Sequence, residues 1–409
     1  MYKQSFGGRS RFGRNSNNSR SGFQGRGGRS FGGNGGRPVR RMKFFDPSNI
    51  IGNSAPQSTE TTVYVAKNNF SDFAVDSRLM ANISSRGYTV PTPIQDQAIP
   101  EGLLGKDIVG IAKTGTGKTA SFLIPLINKV LKSRSQRVLI IAPTRELAVQ
   151  IEDEFRLFAR GLGIYSVLCI GGVSMGKQVQ GLRRGASFVI GTPGRLIDLE
   201  QQRIMNFRDY NNIVLDEVDR ILDMGFIENL NYILTHLPQD RQSFFFSATM
   251  PPKVDGIARG FLRNPVVISI KSNEPTSNVK QEILRVNGKP KVEVLHELLI
   301  KNEFSKVLVF GRTKHGVEKL FTELKSRGFK VDAIHGNKSQ NQRQRALSNF
   351  KDDYVQVLLA TDIVARGLDI SNVSHVINYD LPESYEDYIH RIGRTGRADK
   401  TGVAITFIG

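Results

Sequence analysis

From about residue 70 the chain alternates short apolar runs with longer amphipathic segments. Val138-Leu-Ile-Ile-Ala142, Phe188-Val-Ile190, Ile213-Val-Leu215 and Phe244-Phe-Phe246 read as strands buried on both faces. The segments between them, such as Arg145 to Ala159, read as helices. This alternation predicts a parallel sheet with helices on both faces. The stretch Ser272-Asn-Glu-Pro-Thr-Ser-Asn278 is polar and breaks the pattern, as a linker would. Beyond it the pattern resumes with Val307-Leu-Val-Phe310, Val331-Asp-Ala-Ile334, Val357-Leu-Leu359, Val376-Ile377 and Val403-Ala-Ile-Thr-Phe407. The expectation is an α/β chain of two parallel-sheet lobes, 61–271 and 282–409, joined by a flexible linker over 272–281.

Residues 1–60 do not fit this pattern and are expected to be disordered. The first 45 hold eleven glycines, eleven Lys or Arg and no Asp or Glu, with no apolar periodicity. Such a segment buries too little surface to offset its ordering entropy. The whole chain carries +19, so +8 is left for the remaining residues. A polyanion partner follows, with counterion release as the driving term. Phe6, Phe12, Phe23 and Phe31 lie among the arginines, where they can stack on bases. The composition resembles the Arg-Gly-Gly tails of RNA-binding proteins. The single cysteine, Cys169, rules out an internal disulfide and a thiolate-only zinc site, and fits a reducing, cytoplasmic setting. There is no run of apolar residues long enough to span a membrane, and the basic N-terminus lacks the apolar stretch of a secretory signal.

The sharpest chemical signal is Ala112-Lys113-Thr114-Gly115-Thr116-Gly117-Lys118-Thr119, between the apolar strand Asp107-Ile-Val-Gly-Ile-Ala112 and an amphipathic helix. That is the context a phosphate loop requires. Gly115 and Gly117 let backbone N–H groups close on phosphate oxygens, and the helix N-terminus adds its dipole. Lys118 can bridge the outer phosphates, and Thr119 can place its hydroxyl on Mg2+. Downstream, Asp216-Glu217-Val218-Asp219 ends the strand Ile213-Val-Leu215. Asp216 is placed to hold Mg2+, in part through water, and Glu217 to orient or deprotonate an attacking water. An acidic cluster at a strand end also serves as a plain helix cap; the phosphate loop earlier in the same lobe favours the catalytic role.

On these residues the chain from about 70 onward resembles the DEAD-box RNA helicases, with two RecA-like lobes. Gly87-Tyr88 and Pro91-Thr92-Pro93-Ile94-Gln95 resemble the family's adenine-reading segment, which implies that Tyr88, Gln95 and the upstream Phe70 bind the base of ATP. Pro143-Thr144-Arg145-Glu146-Leu147, Gly171-Gly172 and Thr192-Pro193-Gly194-Arg195 resemble its RNA-backbone segments. The resemblance thereby implies RNA contacts by Pro143, Thr144, Arg145, Gly172, Thr192 and Arg195. Ser247-Ala248-Thr249 resembles the element that couples hydrolysis to strand separation, and its hydroxyls can bond Asp219. In the second lobe, Arg312, Gln340, Arg343 and Thr361 are implied on RNA, with Gly367 and Asp369 at the ATP ribose. His390-Arg391-Ile-Gly-Arg394-Thr-Gly-Arg397 is the strongest match, and Arg394 and Arg397 are spaced to meet one γ-phosphate. Val218 stands where the family has Ala; being apolar and β-branched, it suits a strand end.

The resemblance implies an ATP- and Mg2+-dependent RNA helicase whose site is split between the lobes. Binding of RNA would close the lobes, complete the site and melt short duplexes locally. Contacts to backbone imply little sequence preference. A monomer is expected, with ribosomal or mRNA-associated proteins as the class of protein partner. Two other readings stay open at this point: an ATP-gated RNA clamp, and a DNA translocase.

Overall fold

The computed structural model describes residues 64–113, 115–270, 279–365, 370, 373–396 and 401–409. The expected tail, Thr114, most of the expected linker, Gly367, Asp369 and Arg397 lie outside the described residues.

The described residues form two parallel sheets, one per lobe. The first contains β1 (Ile108–Ile111), β2 (Val138–Ile141), β3 (Ser166–Cys169), β4 (Phe188–Gly191), β5 (Asn212–Leu215), β6 (Gln242–Ser247) and β7 (Val266–Ser269). Their order is β3-β4-β2-β5-β6-β1-β7, and every pairing is parallel. The second contains β8 (Val279–Arg285), β9 (Val307–Phe310), β10 (Val331–Ile334), β11 (Val357–Ala360), β12 (His375–Asn378) and β13 (Gly402–Ile408), in the order β10-β11-β9-β12-β13-β8. It too is parallel throughout.

The unbroken apolar runs arise because each strand feeds a core on both faces. Val138 and Ile140 enter one hydrophobic cluster, and Leu139 and Ile141 the other. Phe244 and Phe246 pack into the first of these clusters, while Phe245 between them packs into the second. Helices cover both sides because their apolar residues recur at helical spacing. Helix Arg145–Phe158 buries Leu147, Ile151, Phe155 and Phe158, and the Thr144 hydroxyl caps it by accepting from Leu147 N. The second lobe repeats the plan, with Val307 and Val309 facing one cluster and Leu308 and Phe310 the other.

Two details differ from the expectation. Residues 279–281, assigned to the linker, begin β8. That strand lies at the sheet edge, pairs only with β13 and is largely half-exposed, so its sequence Val-Lys-Gln-Glu-Ile-Leu-Arg shows no apolar run. Val218 is not at a strand end. It is the first residue of helix Val218–Asp223, fully buried in the core behind β5. Among the described residues no helix is long and apolar enough to cross a membrane.

A parallel sheet sends all strand C-termini to one edge, where ligands of such sheets bind. The loops after β1, β2, β3, β4, β5 and β6 therefore converge there, and they are the loops that carry the sequence motifs.

The cross-sheet fit is tight at Gly110. A Cβ at this position would overlap the ring of Phe246, which is fully buried. Gly110→Ala should therefore lower stability by about 1–3 kcal/mol through overpacking, read as a lower urea midpoint at unchanged slope. A midpoint equal to wild type would show that the ring moves aside freely.

Candidate active site

The phosphate loop leaves β1 and enters helix Lys118–Lys132. Gly115 and Gly117 have φ of 84° and 90°, the left-handed region open to glycine. The loop is stitched to itself: Lys118 Nζ donates to Ala112 O at 2.8 Å, and Thr116 Oγ1 to Lys113 O at 2.8 Å. Ala112 N donates to Ser247 O, which fastens the loop to the end of β6. Lys118 is thus held at the loop mouth, buried, on a carbonyl that an anion can replace.

Gln95 closes the other side. Its Oε1 accepts from Thr92 N at 3.0 Å, and its Nε2 donates to Gly117 O at 3.2 Å. Thr92 and Gln95 form the capping box of helix Pro93–Leu103, so the amide is held rigidly against the phosphate loop. The two aromatics expected on adenine are placed differently. Phe70 is 1% exposed, edge-on to Phe73 and Tyr88 at 5.6 and 5.3 Å. Tyr88 packs on Phe70 and Phe158 and donates its hydroxyl to Glu154. Phe70 is thus buried in the packing and Tyr88 half-buried. Spacing in sequence cannot separate the two uses.

The acidic cluster sits where β5 meets helix Val218–Asp223. Glu217 has φ 49° and ψ 52°, a left-handed conformation that costs a non-glycine residue roughly 1–2 kcal/mol. Each carboxylate is handled separately. Asp219 accepts from Ala248 N, Thr249 N and Thr249 Oγ1 at 3.0, 3.0 and 3.1 Å, while Ser247 Oγ accepts from Asp219 N. Glu217 Oε2 pairs with Arg220 at 2.8 Å, with both side chains almost fully buried. Asp216 is also buried. Burial pushes its carboxyl above the usual range; Lys118 opposes this and the neighbouring Glu217 charge adds to it. A buried carboxylate short of positive charge is a place where a cation is favourable. Among the described residues no three His, Cys, Asp or Glu side chains gather as metal ligands. Mg2+ binds through one or two carboxylates, substrate phosphates and water, and the Thr119 hydroxyl and the buried Asp216 carboxylate fit it.

The second lobe reaches the same place. Arg394, 3% exposed, lines a cavity of about 1170 Å³ with His390 from its own lobe and with Lys113, Asp219, Arg220 and Thr249 from the first. Its backbone is set by Arg391, the largest of the almost fully buried side chains among the described residues. Arg391 donates to both Asp362 oxygens at 2.6 and 2.7 Å, to Asn378 Oδ1 and to Asp380 O. This ties the segment after β11, where Thr361 sits, to helix Tyr385–Ile392 and hence to Arg394.

The residues expected on RNA divide into groups. Arg145, Gly172, Thr192, Arg195 and Arg312 are at least partly accessible at strand C-termini. Arg145 lies against Gly171 and Gly172, where a Cβ on either would meet its guanidinium. Pro143, Thr144 and Thr361 are buried, and the Thr144 hydroxyl is committed to its helix cap. Gln340 and Arg343 are placed in the seam between lobes. Arg343 pairs with Glu146 at 2.6 Å, and Gln340 Nε2 donates to Glu146 Oε1 at 3.3 Å. Burial pushes the Arg343 guanidinium down, against the pull of Glu146. Four further residues escaped the sequence reading. Glu146 needs the cross-lobe contact to be visible, and Arg391 needs Asp362. Asp96 holds the upstream segment by accepting from Tyr64, Lys67 and Asn68. Arg220 alone had a sequence signal, three residues after Glu217 on a helix.

A phosphate loop with an acidic cluster in one parallel-sheet lobe, faced by an arginine from a second such lobe, defines a two-lobed nucleotide-dependent motor. Comparisons with known proteins make the class specific. Residues 92–257 match the DEAD/DEAH box helicase family and residues 290–399 the helicase conserved C-terminal domain. The chain is 45% identical over 346 residues to the DEAD-box ATP-dependent RNA helicase CshA of Bacillus licheniformis, covering 83% of this chain and 70% of that protein. It is 43% identical over 341 residues to ATP-dependent RNA helicase CshA of Listeria monocytogenes, covering 83% and 66%. Among solved structures, it resembles S. cerevisiae Dbp5 bound to RNA and ADP BeF3, with a TM-score of 0.72, 30% identity, and 83% and 89% of the two chains covered. It also resembles the DEAD-box helicase Mss116 bound to ssRNA and UDP-BeF, with a TM-score of 0.75, 28% identity, and 84% and 75% covered. The chain belongs to the DEAD-box family of ATP-dependent RNA helicases.

Because Arg391 is a buried charge with four bonds, Arg391→Ala should cost about 3–5 kcal/mol by stranding Asp362. Arg259→Ala, which breaks the exposed pair with Asp255, should cost under about 1 kcal/mol. Urea unfolding of the two variants measures the contrast; equal losses would mean that Asp362 finds another partner.

Proposed function

We propose that this chain couples RNA-stimulated ATP hydrolysis to local unwinding of short RNA duplexes or remodelling of RNA–protein complexes. The observation that carries the reading is the divided site. The phosphate loop and carboxylates belong to one lobe, and Arg394 from the other lines a cavity with Asp219, Arg220 and Thr249. The first lobe is proposed to run over 61–271, the linker over 272–278, and the second lobe from 279, where β8 begins.

Within that site Lys118 leaves the Ala112 carbonyl and binds the outer phosphates of ATP. Thr119 and Asp216 would hold Mg2+, which would supply positive charge against the developing phosphate charge. Glu217 orients the attacking water. Arg394, with Arg397, spreads over the γ-phosphate oxygens, and Asp369, with Gly367, takes the ribose. Gln95 exchanges its bonds to Thr92 and Gly117 for the adenine edge. Thr249 and Ser247, both bonded to Asp219, transmit the state of the carboxylate cluster to the end of β6. RNA lies along the strand C-termini of both lobes, on Arg145, Gly172, Thr192, Arg195 and Arg312. The presence of RNA together with a nucleotide analogue in the Dbp5 and Mss116 structures supports this placement.

Turnover distinguishes this enzyme from an ATP-gated clamp. Steady-state phosphate release should rise at least ~10-fold on adding single-stranded RNA and less with DNA. Arg394→Ala should remove most of that rise, since an arginine finger contributes about 10³–10⁵-fold. Equal rates with and without RNA would contradict the coupling.

A further inference from the structure

Within the first lobe, positive charge gathers along one edge of the sheet. Three segments, 132–137, 159–165 and 183–187, hold Lys132, Arg134, Arg137, Arg160, Arg183 and Arg184, and no Asp or Glu. They lead into β2, β3 and β4, which are neighbours in the sheet, so the topology sets six cations along one rim. The next rim loop, before β5, carries Arg203 and Arg208 with Asp209 between them and the strand.

The rim is built rather than loosely scattered. Arg134 donates to the carbonyls of Leu162 and Gly163 at 2.9 and 3.0 Å. Arg137 donates to those of Gly185 and Ala186 at 2.6 and 2.9 Å. These bonds fix two guanidinium planes without neutralising them, because their partners are carbonyls. Lys132, Arg160, Arg183 and Arg184 are exposed and make no ion pair among the described residues. Tyr165, 73% exposed, stands at the start of β3, its carbonyl bonded to Phe188 N beside the 183–187 segment.

Fixed, un-neutralised arginines next to a displayed aromatic match a phosphate backbone with an unpaired base. We propose that this rim is a second RNA-anchoring surface, distinct from the catalytic cleft. The phosphates lie on the arginines, and Tyr165 offers a face for stacking. The proposal rests on RNA being the substrate, as argued above. The rim lies at the opposite ends of the strands from the phosphate loop: Arg137 precedes β2 and Thr144 follows it, roughly 20 Å apart at ~3.3 Å per residue. An RNA long enough to reach both is held twice, so its loading into the cleft becomes an intramolecular step.

The test uses the full chain carrying Lys132→Gln, Arg160→Gln and Arg184→Gln together, three exposed side chains that leave no buried partner stranded. Two RNAs are compared by fluorescence anisotropy across a salt series: a short single strand that fills only the cleft, and the same strand joined to a stem–loop. The short strand should bind, and stimulate ATP hydrolysis, within about twofold of wild type. The extended RNA should bind at least ~10-fold more weakly at low salt. Its plot of log affinity against log salt should flatten by about two, at ~0.7–0.9 per lost phosphate contact. Tyr165→Ala should weaken binding of an RNA with an unpaired extension at unchanged salt slope. Unchanged affinity and slope for the extended RNA would overturn the proposal, including in the case where an acidic protein proves to bind the rim. If the short strand fails to stimulate the wild type, the catalytic reading fails separately, and binding of the extended RNA still decides the rim.

Discussion

Three carboxylates within four residues, all nearly or fully buried, meet at the end of β5. Charges so placed repel one another and have lost their water, so each needs its own compensation. Asp219 accepts from three uncharged donors of the Ser247–Thr249 turn, and Glu217 is paired with the Arg220 charge. Burial leaves the Asp216 carboxyl raised; the Lys118 charge and one backbone donor oppose this, while the Glu217 and Asp219 charges add to it. Much of the first lobe is organised around this imbalance. The phosphate loop is tied to β6 through Ala112 and Ser247, and β6 is tied to the acidic helix through Asp219. The site is therefore poised for a cation and a polyphosphate together.

The second lobe brings the missing positive charge. Two separate sets of bonds position the second lobe, one at the seam and one beside Arg394. Glu146 holds Arg343 and Gln340 across the seam, and Arg391 binds Asp362 and the carbonyl of Asp380. Arg394 follows Arg391 by three residues, and Asp380 also accepts from Arg312 N. Asp380 thus joins the Arg312 backbone, through its carboxylate, to Arg391, through its carbonyl.

Much of this was legible in the sequence, for identifiable reasons. The doubly buried strands appear as unbroken apolar runs, and the phosphate loop must be glycine-rich where φ is positive. Where a residue has two physical uses, sequence did not separate them. Phe70 and Tyr88 could display or bury their rings, and the structure buries them to different degrees in packing roles. Gln340 and Arg343 could meet phosphate or carboxylate, and here they meet Glu146. The edge strand β8 was hidden because an edge needs no apolar alternation. The pairs Glu217–Arg220 and Arg391–Asp362 depend on a fold that brings chosen charges out of water together.

We propose that RNA and ATP jointly draw Arg394 onto the phosphate loop. Cys169 is fully buried, and burial pushes its thiol up to about 12. Dyes can therefore be attached selectively to cysteines introduced at the exposed positions Gln201 and Lys325, one on each lobe. Single-molecule energy transfer between them measures closure directly. The account predicts one narrow, steady distribution when RNA and a non-hydrolysable ATP analogue are both present, and a broad or shifted one with either alone. The same distribution under all conditions would contradict it.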